Sequence, residues 1–321
     1  MNILVICKLQ KTDQEEIQKT ASASCDFIFR DHIEDCSKKE IESAEVVFGN
    51  IPTDLVHEFQ NTKWLQLGSA GYERFEGIQL PEGLILTFAA GGYGINISEY
   101  MIGGVLSILQ NFHRIRDNQF RGEWKDEGLG GNITGSVCLI AGTGNIGGEF
   151  AKRLKLLGAA KTIGFRRNAS ICPEFFDEVH PLSRLKEFLP GADIIGTCLP
   201  ASPQSHQLFD RSMIHSFKKN AVFVNVGRGS AVDLSALCDA ITNNQIRGAV
   251  LDVTDPEPLP KDHPAWHVRN LIITPHISGG FRENLNPTLE NCISLRCVID
   301  LFLDNLARYQ KNEALRNIAE L

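Results

Sequence analysis

Short apolar runs, separated by polar segments with helical character, occupy the first 95 residues of the chain. The runs predict β-strands, and the segments 12–21 and 37–44 predict helices between them. This alternation is typical of βαβ units, which build parallel sheets. A glycine-rich joint follows at 91–96. The predicted strands lie at 3–7, 27–29, 45–48, 64–67 and 84–89.

A second βαβ series starts at 136–142 and ends at 271–274. Its strands are short and apolar throughout, as expected for strands that are covered on both faces. An amphipathic helix is predicted before this series, from Ser98 as its N-cap to about Arg116. The predicted strands lie at 136–142, 161–165, 193–199, 221–226, 248–252 and 271–274.

The length of 321 residues favours two domains. After residue 280 the pattern becomes one long helix, 283–306, and too few residues remain for another sheet. This helix should therefore pack against the first domain. We expect an α/β fold with a discontinuous first domain, 1–96 plus 281–321, and a second domain, 97–280.

Composition excludes several classes of protein. The net charge of −7 leaves no broad basic face for nucleic acid. The nine cysteines contain no Cys-x-x-Cys pair, so we predict no metal site and expect reduced thiols in a cytoplasmic protein. No apolar stretch approaches the ~20 residues of a membrane helix, and the N-terminal run is too short for a signal peptide.

The segment AGTGNIGG contains the pattern Gly142-x-Gly144-x-x-Gly147 between a predicted strand and a predicted helix, 148–157. In this context the pattern indicates a dinucleotide site. Gly142 permits a tight turn, Gly144 lets the backbone approach a pyrophosphate, and Gly147 lets helix and strand pack closely. The helix N-terminus then binds the anion. The alternative is an ordinary glycine-rich βα turn.

Three further residues bear on the coenzyme. NAD sites usually carry an acidic residue about 20 positions after the glycine loop, but no acidic residue occurs from 150 to 173. Arg166 and Arg167 lie near that position and are suited to a 2′-phosphate, so NADP(H) is preferred and NAD(H) stays open. The alternative is a pair of solvated surface arginines. Asp252 ends an apolar run and is suited either to the coenzyme carboxamide or to capping a local turn.

Three motifs in the second half carry candidate catalytic side chains, Arg228 in NVGRGS, Glu257 in DPEPLP and His276 in TPHISGG. Each lies at the end of an apolar run, where α/β sheets carry their functional loops. Arg228 is suited to gripping a carboxylate, Glu257 to orienting an imidazole and His276 to moving a proton. A surface arginine, a solvated carboxylate and a buried histidine are the alternatives.

This order of motifs resembles the D-isomer-specific 2-hydroxyacid dehydrogenase family. The resemblance implies two doubly wound parallel-sheet domains, a flavodoxin-like substrate domain and a Rossmann nucleotide domain, with the active site in the cleft between them. The matching segments are GSAG (68–71), SEY (98–100), Trp124, AGTGNIG, the Leu199–Pro200 loop with QSHQLF, NVGRGS, AVLDV, EPLP, HPAW (263–266) and TPHISGG.

The resemblance also implies roles for residues. Arg228, Glu257 and His276 take the family's Arg–Glu–His positions, and the backbone amides of Ser69, Ala70 and Gly71 match the loop that holds the substrate carboxylate. Family members usually form homodimers through the nucleotide domain, so the 98–116 helix is the candidate interface. The predicted cofactor-binding residues are Gly142, Thr143, Gly144, Asn145, Ile146, Gly147, Arg166, Arg167, Leu199, Pro200 and Asp252.

The expected activity is NAD(P)H-dependent reduction of a small 2-oxo acid to the D-2-hydroxy acid, and the reverse reaction. Glyoxylate, hydroxypyruvate, pyruvate and bulkier 2-oxo acids all remain open as substrates, and Tyr72 and Tyr93 are candidates for shaping the pocket. One alternative is a non-catalytic nucleotide sensor of the same fold. Another is a different Rossmann enzyme such as a methyltransferase, which would leave TPHISGG and EPLP without a role.

Overall fold

A computed structural model of the protein describes residues 1–21, 24–280 and 292–321. The chain divides into two compact units, Met1–Tyr93 with Gly280–Leu321, and Gly94–Gly279. Each unit is an α/β structure built on one parallel sheet, which confirms the predicted fold class. Within these described ranges, none of the helices combines the length and apolar character required to cross a bilayer.

The described elements alternate along the chain as the hydrophobic pattern predicts. The strands are β1 (Asn2–Ile6), β2 (Asp26–Arg30), β3 (Val46–Gly49), β4 (Trp64–Gln66), β5 (Ile85–Thr87), β6 (Val137–Ala141), β7 (Lys161–Arg166), β8 (Glu178–Pro181), β9 (Ile194–Thr197), β10 (Val222–Asn225), β11 (Gly248–Leu251) and β12 (Leu271–Ile273). The α-helices are α1 (Lys11–Thr20), α2 (Lys38–Ser43), α3 (Gly94–Leu109), α4 (Phe112–Phe120), α5 (Asn145–Leu156), α6 (Leu185–Phe188), α7 (Arg211–His215), α8 (Leu234–Thr242) and α9 (Ile293–Gln310). Short 3-10 helices lie at Ile33–Asp35, Thr53–Glu58, Glu73–Phe75, Leu182–Arg184, Leu189–Gly191, Gly229–Ala231 and Pro264–His267.

The first unit has a five-stranded sheet in the order β2-β1-β3-β4-β5. All neighbouring strands are parallel, and the order is that of flavodoxin-like folds. Helix α9 buries Phe302 against the sheet, where its ring stacks on Phe48 at 4.4 Å and on Trp64 at 5.5 Å between centroids. These aromatic contacts contribute the large buried area that holds the final helix to this unit.

The second unit has a seven-stranded parallel sheet in the order β12-β11-β10-β9-β6-β7-β8. Its central strands are buried along their whole length, which explains why they read as continuous apolar runs. The chain order reverses between β6 and β9, which are neighbours. In open α/β sheets, ligands bind outside the carboxyl ends of the strands at such a switch point.

The predicted helix from Ser98 to Arg116 is wrong at its start and in its continuity. Helix α3 already begins at Gly94, and Ser98 lies buried inside it, where its hydroxyl donates to the Ile95 carbonyl at 2.9 Å. The helix ends at Leu109 because Asn111 adopts a left-handed conformation (φ 58°) and its side-chain amide donates to the carbonyls of Glu127 and Gly128.

Two other boundaries differ from the prediction. Helix α5 begins at Asn145, three residues earlier than expected, because Gly144 already serves as its N-cap. Strand β8 was missed, since its sequence is polar, ends in proline and lies at the sheet edge, where exposed strands lack an apolar pattern. The predicted start of the final helix falls within 281–291, outside the described residues, and α9 continues to Gln310.

Candidate functional site

The glycine loop joins β6 to α5 through close backbone contacts. Gly142 has φ +100°, a conformation that L side chains rarely adopt, and its amide donates to the Phe165 carbonyl of β7 at 2.8 Å. A Cβ at Gly147 would lie 1.9 Å from the Gly142 carbonyl oxygen, so strand and helix meet here without space for a side chain. This is the geometry that the Gly-x-Gly-x-x-Gly pattern predicts.

The loop also has features that fit a nucleotide phosphate. A Cβ at Gly144 would have no atom within 4 Å among the described residues, so the backbone is open to close approach from outside. The hydroxyl of Thr143 is buried and has no hydrogen-bond partner in the described part of the chain. A buried hydroxyl normally finds a partner, and a coenzyme oxygen would supply one. Asn145 and Ile146 form the first turn of α5, whose positive end attracts anions.

Arg166 and Arg167, the predicted ligands of a 2′-phosphate, lie at the carboxyl end of β7. Arg166 is the last residue of β7, the strand that pairs with β6, and Arg167 follows it as an exposed residue. Both residues therefore lie at the carboxyl end of the sheet, where the glycine loop also lies. The next residue along the chain is Asn168, so no carboxylate directly follows the strand.

The loops after β9 and β10 pack against each other beside the glycine loop. Leu199 and Pro200 follow β9, and a Cβ at Gly227 would lie 2.4 Å from the Leu199 carbonyl oxygen. Cys198, the residue before Leu199, contacts the glycine loop directly, since its thiol donates to the Gly142 carbonyl at 3.2 Å. Desolvation raises the pKa of this thiol to about 12, which leaves it protonated and unreactive.

Arg228 is held at the end of β10 by its own loop. The buried Asn225 side chain donates to the Arg228 carbonyl at 2.9 Å and accepts from the Gly227 amide at 3.0 Å. The Arg228 guanidinium donates to the Gly227 carbonyl at 2.9 Å. A Cβ at Gly229 would lie 2.0 Å from the Thr254 carbonyl, so this loop packs directly on the segment that leads to Glu257.

His276 and Glu257 form a direct pair. The His276 Nδ1 lies 3.0 Å from Oε1 and 3.2 Å from Oε2 of Glu257. The two side chains are 49% and 42% exposed, so the pair stays accessible from solvent. The pairing inferred from the sequence motifs is thus present in the geometry. An imidazole held in this way through Nδ1 presents Nε2 for proton transfer.

Asp252 lies directly after β11 and is fully buried. Its carboxylate accepts from the Ile277 amide at 2.8 Å, from the Ser278 amide at 2.9 Å and from the Thr274 hydroxyl at 2.6 Å. These contacts support the turn-capping alternative for Asp252, because both carboxylate oxygens bind the His276 loop. Its role toward a carboxamide stays a prediction.

The predicted carboxylate-binding loop lies in the first unit, after β4. The Ser69 amide donates to Asn50 Oδ1 at 3.3 Å, and the Ser69 hydroxyl donates to the Gly71 carbonyl at 2.8 Å. Ala70 is exposed at the tip. The Ser69 carbonyl accepts from the Ala89 amide at 2.8 Å, which ties the loop to the end of β5. The substrate roles of these residues stay predictions.

Three residues of the site lie in segments that the sequence analysis matched, but that analysis gave them no role. Asn225 organises the loop that carries Arg228, and Thr274 and Tyr100 organise the loop that carries His276. Asn225 ends an apolar strand just before a glycine, a position where asparagine often caps a turn. Thr274 and Tyr100 are 174 residues apart, so only the fold reveals their contact.

Comparison with known families and structures gives a consistent result. The family model "D-isomer specific 2-hydroxyacid dehydrogenase, NAD binding domain" matches residues 102–278, more than half of the chain. The structure of a D-isomer specific 2-hydroxyacid dehydrogenase family protein from Aeromonas salmonicida is similar with a TM-score of 0.86 at 28% identity, over 99% of this chain and 98% of that chain.

Two reductases are also similar. Glyoxylate/hydroxypyruvate reductase B of Enterobacter sp. (strain 638) is 28% identical over 240 residues, 73% of this chain and 73% of the reductase. An NADPH-dependent glyoxylate/hydroxypyruvate reductase from Sinorhizobium meliloti, in complex with NADP and sulfate, has a TM-score of 0.78 at 21% identity over 99% and 98% of the two chains. Some relatives extend well beyond the match, which covers 61% of a formate dehydrogenase from Arabidopsis thaliana and 44% of D-3-phosphoglycerate dehydrogenase from Methanocaldococcus jannaschii.

Proposed function

Because this chain belongs to the D-isomer specific 2-hydroxyacid dehydrogenase family, we propose that it reduces a small 2-oxo acid to the D-2-hydroxy acid with NADPH as the preferred coenzyme. The observation that carries the proposal is the His276–Glu257 pair on the sheet that also bears the glycine loop. The same site catalyses the reverse oxidation, in which the base takes up the proton that it donates during reduction.

His276 is the proposed general acid. Protonated His276 donates a proton from Nε2 to the substrate oxygen while a hydride reaches carbon C2, so the carbonyl becomes an alcohol. Glu257 binds Nδ1 and stabilises the positive charge of the protonated ring before this transfer. After the transfer the imidazole is neutral and must regain a proton from solvent, which the partial exposure of the pair permits.

Arg228 is the proposed ligand of the substrate carboxylate. Its planar guanidinium suits a bidentate contact, and a positive charge beside the carbonyl would also stabilise negative charge that develops on oxygen. The amides of Ser69, Ala70 and Gly71 are proposed to bind the same carboxylate. The Ser69 amide already donates to Asn50, so Ala70 and Gly71 are the stronger candidates within this loop.

The glycine loop and the two arginines are the proposed coenzyme site. When bound, NADPH supplies the hydride for the reduction. The Thr143 hydroxyl and the first turn of α5 would hold the pyrophosphate, and Arg166 and Arg167 would hold the 2′-phosphate. The NADP bound to the structurally similar S. meliloti reductase supports this choice of coenzyme.

The coenzyme proposal is tested by replacing both arginines with glutamine, R166Q/R167Q. Loss of charge-assisted bonds to the 2′-phosphate should raise the KM for NADPH about tenfold or more and leave the KM for NADH nearly unchanged. Replacement of the half-buried Lys152 on α5 by glutamine is a control that removes one positive charge elsewhere in the same unit and should alter neither constant. A wild-type enzyme that prefers NADH would contradict the proposal.

The substrate proposal follows from the named reductases and is limited to small 2-oxo acids, with glyoxylate and hydroxypyruvate first. The test measures oxidation of NADPH and of NADH with glyoxylate, hydroxypyruvate, pyruvate and phenylpyruvate. We expect turnover with at least one of the two smallest polar acids. Tight NADPH binding without turnover across the panel would reject the enzyme and favour a nucleotide sensor.

We also propose a homodimer and retain cytoplasmic localisation as a prediction. The predicted interface, the helix at 98–116, stays a prediction. Large apolar side chains are exposed at its end and just after it, at Phe112, Ile115, Phe120 and Trp124. Exposed apolar side chains of this size are typical of a protein interface. Replacing Trp124 by serine should shift the mass in light scattering from dimer to monomer, and a wild-type monomer would contradict this proposal.

A further inference from the structure

The buried carboxylate of Asp252 holds the His276 loop from both sides. It accepts from the Thr274 hydroxyl before the histidine and from the Ile277 and Ser278 amides after it. The His276 amide itself donates to the Asp252 backbone carbonyl at 2.8 Å. This one residue, directly after β11, thus bonds four residues of the neighbouring loop, Thr274, His276, Ile277 and Ser278.

These hydrogen bonds hold His276 in a left-handed backbone conformation with φ +53°. Residues other than glycine adopt this region rarely, and they stay there only when the surrounding structure holds them. The unusual backbone directs the imidazole of His276 at Glu257, to which Nδ1 binds at 3.0 Å. Loosening the bonds to Asp252 should therefore move the ring away from its partner.

Tyr100 of α3 extends the support by one more hydrogen bond. Its hydroxyl lies 2.6 Å from the Thr274 Oγ1. Since Thr274 has a single hydroxyl proton and donates it to Asp252, Tyr100 must be the donor in this contact. Burial, reinforced by the negative charge of Asp252, raises the pKa of Tyr100 to about 12. The phenol therefore remains protonated, and able to donate, well above neutral pH.

We propose that Tyr100 and Thr274 are positioning residues for proton transfer. Their hydrogen bonds connect α3 through Asp252 to the loop that carries His276, and this set of positioning hydrogen bonds is called the relay below. The inference rests on the proposed function insofar as it takes His276 to be the acid–base group. These four contacts join Tyr100 of α3, Asp252 after β11 and the 274–278 loop, and none of the four involves the glycine loop. Loss of the relay should lower kcat and leave coenzyme binding and the KM of the 2-oxo acid largely unchanged.

The test compares four variants of the full chain. Thr274→Val removes the hydroxyl that bonds Asp252, Thr274→Ser retains it, and Tyr100→Phe removes only the phenol oxygen. Ser98→Ala is the matched control, because it deletes a buried hydroxyl from the same helix, and among the described residues this hydroxyl bonds only the Ile95 carbonyl. For each variant, kcat, both KM values and the exchange rates of the Ile277 and Ser278 amides are measured.

We expect kcat to fall about tenfold in Thr274→Val and about threefold in Tyr100→Phe, with each KM within twofold of wild type. The two amides should exchange faster in both variants, while Thr274→Ser and Ser98→Ala remain close to wild type. If Thr274→Val fails to fold, Tyr100→Phe compared with Ser98→Ala still decides the matter.

Two results would overturn the relay. One is a kcat of Tyr100→Phe equal to that of Ser98→Ala, and the other is unchanged exchange of the Ile277 and Ser278 amides. Amide exchange needs no substrate, so this arm is independent of the proposed activity. A wild-type chain that reduces no 2-oxo acid would instead reject the proposed function, and faster exchange in the variants would then show that the relay still holds the loop.

Discussion

The glycine loop allows a prediction in which three neighbouring glycines give three different results. A methyl group at Gly147 would lie 1.9 Å from the Gly142 carbonyl oxygen, about 1.5 Å closer than ordinary contact. Methyl groups at Gly144 and Gly148 would have no atom within 4 Å among the described residues. Replacement by alanine therefore tests internal packing at Gly147 and the access of a bound coenzyme to the backbone at Gly144.

The expected magnitudes follow from this geometry. In Gly147→Ala the clash is with backbone, so strand and helix must separate, at a cost of about 1–3 kcal/mol as in other overpacked sites. For a unit of this size that cost lowers the Tm by roughly 3–10 °C. Gly148→Ala places alanine in the interior of α5, where it should stabilise the helix by up to about 1 kcal/mol.

Gly144→Ala should separate binding from folding. Its backbone angles (φ −77°, ψ −158°) are accessible to alanine, so the Tm without coenzyme should stay within about 2 °C of wild type. The methyl group would occupy the space through which a pyrophosphate approaches the backbone, so the Kd for NADPH should rise about tenfold or more.

The assay is thermal unfolding with and without NADPH, together with a fluorescence titration of NADPH binding. Gly148→Ala serves as the control for the substitution itself. A wild-type Tm in Gly147→Ala would refute the packing argument. An unchanged Kd in Gly144→Ala would refute the placement of the pyrophosphate.

Further predictions concern the charge and thiol chemistry of the second unit. Glu257→Gln should lower kcat about 10- to 100-fold without changing NADPH affinity in the same titration, because the protonated imidazole loses a charged partner; an unchanged kcat would contradict this. Because the pKa of Tyr100 is raised to about 12 in the folded chain, its protonated hydroxyl contributes fully to the free energy of unfolding below about pH 10. This contribution is lost as the pH rises toward about 12. In urea unfolding across that range, the free energy of unfolding should therefore fall less in Tyr100→Phe than in wild type. The exposed Cys172 should react with iodoacetamide near pH 8, whereas Cys138, whose pKa burial raises to about 12, should stay unlabelled by mass spectrometry; equal labelling would contradict its burial.

The sequence predicts most of the sheet because buried parallel strands carry a local signal. The runs at β6, β9 and β10 are mostly apolar, and the glycine pattern after β6 predicts the coenzyme side of the sheet. The pairing of His276 with Glu257 was inferred from the chemistry of the two side chains, and the structure places Nδ1 3.0 Å from the carboxylate because their motifs follow neighbouring strands.

The errors arise where contacts distant in sequence override local preference. Helix α3 begins within a glycine-rich segment because Gly94 packs against Asn145, where a Cβ would lie 2.2 Å from the amide oxygen. Its end depends on the left-handed Asn111 and the segment that this side chain binds. Likewise, the SEY segment gave Tyr100 no role in the sequence analysis, since its contact with Thr274 exists only in the folded chain.

The most direct test of the account is the turnover of His276→Asn with the best 2-oxo acid and NADPH. Asparagine tolerates the left-handed backbone at this position and cannot serve as the acid, so the loop should persist while proton transfer is lost. We predict a kcat lower by about 10²- to 10⁴-fold with an NADPH Kd within twofold of wild type. A variant that retains most of the wild-type kcat would contradict the assignment of His276 and, with it, the proposed mechanism.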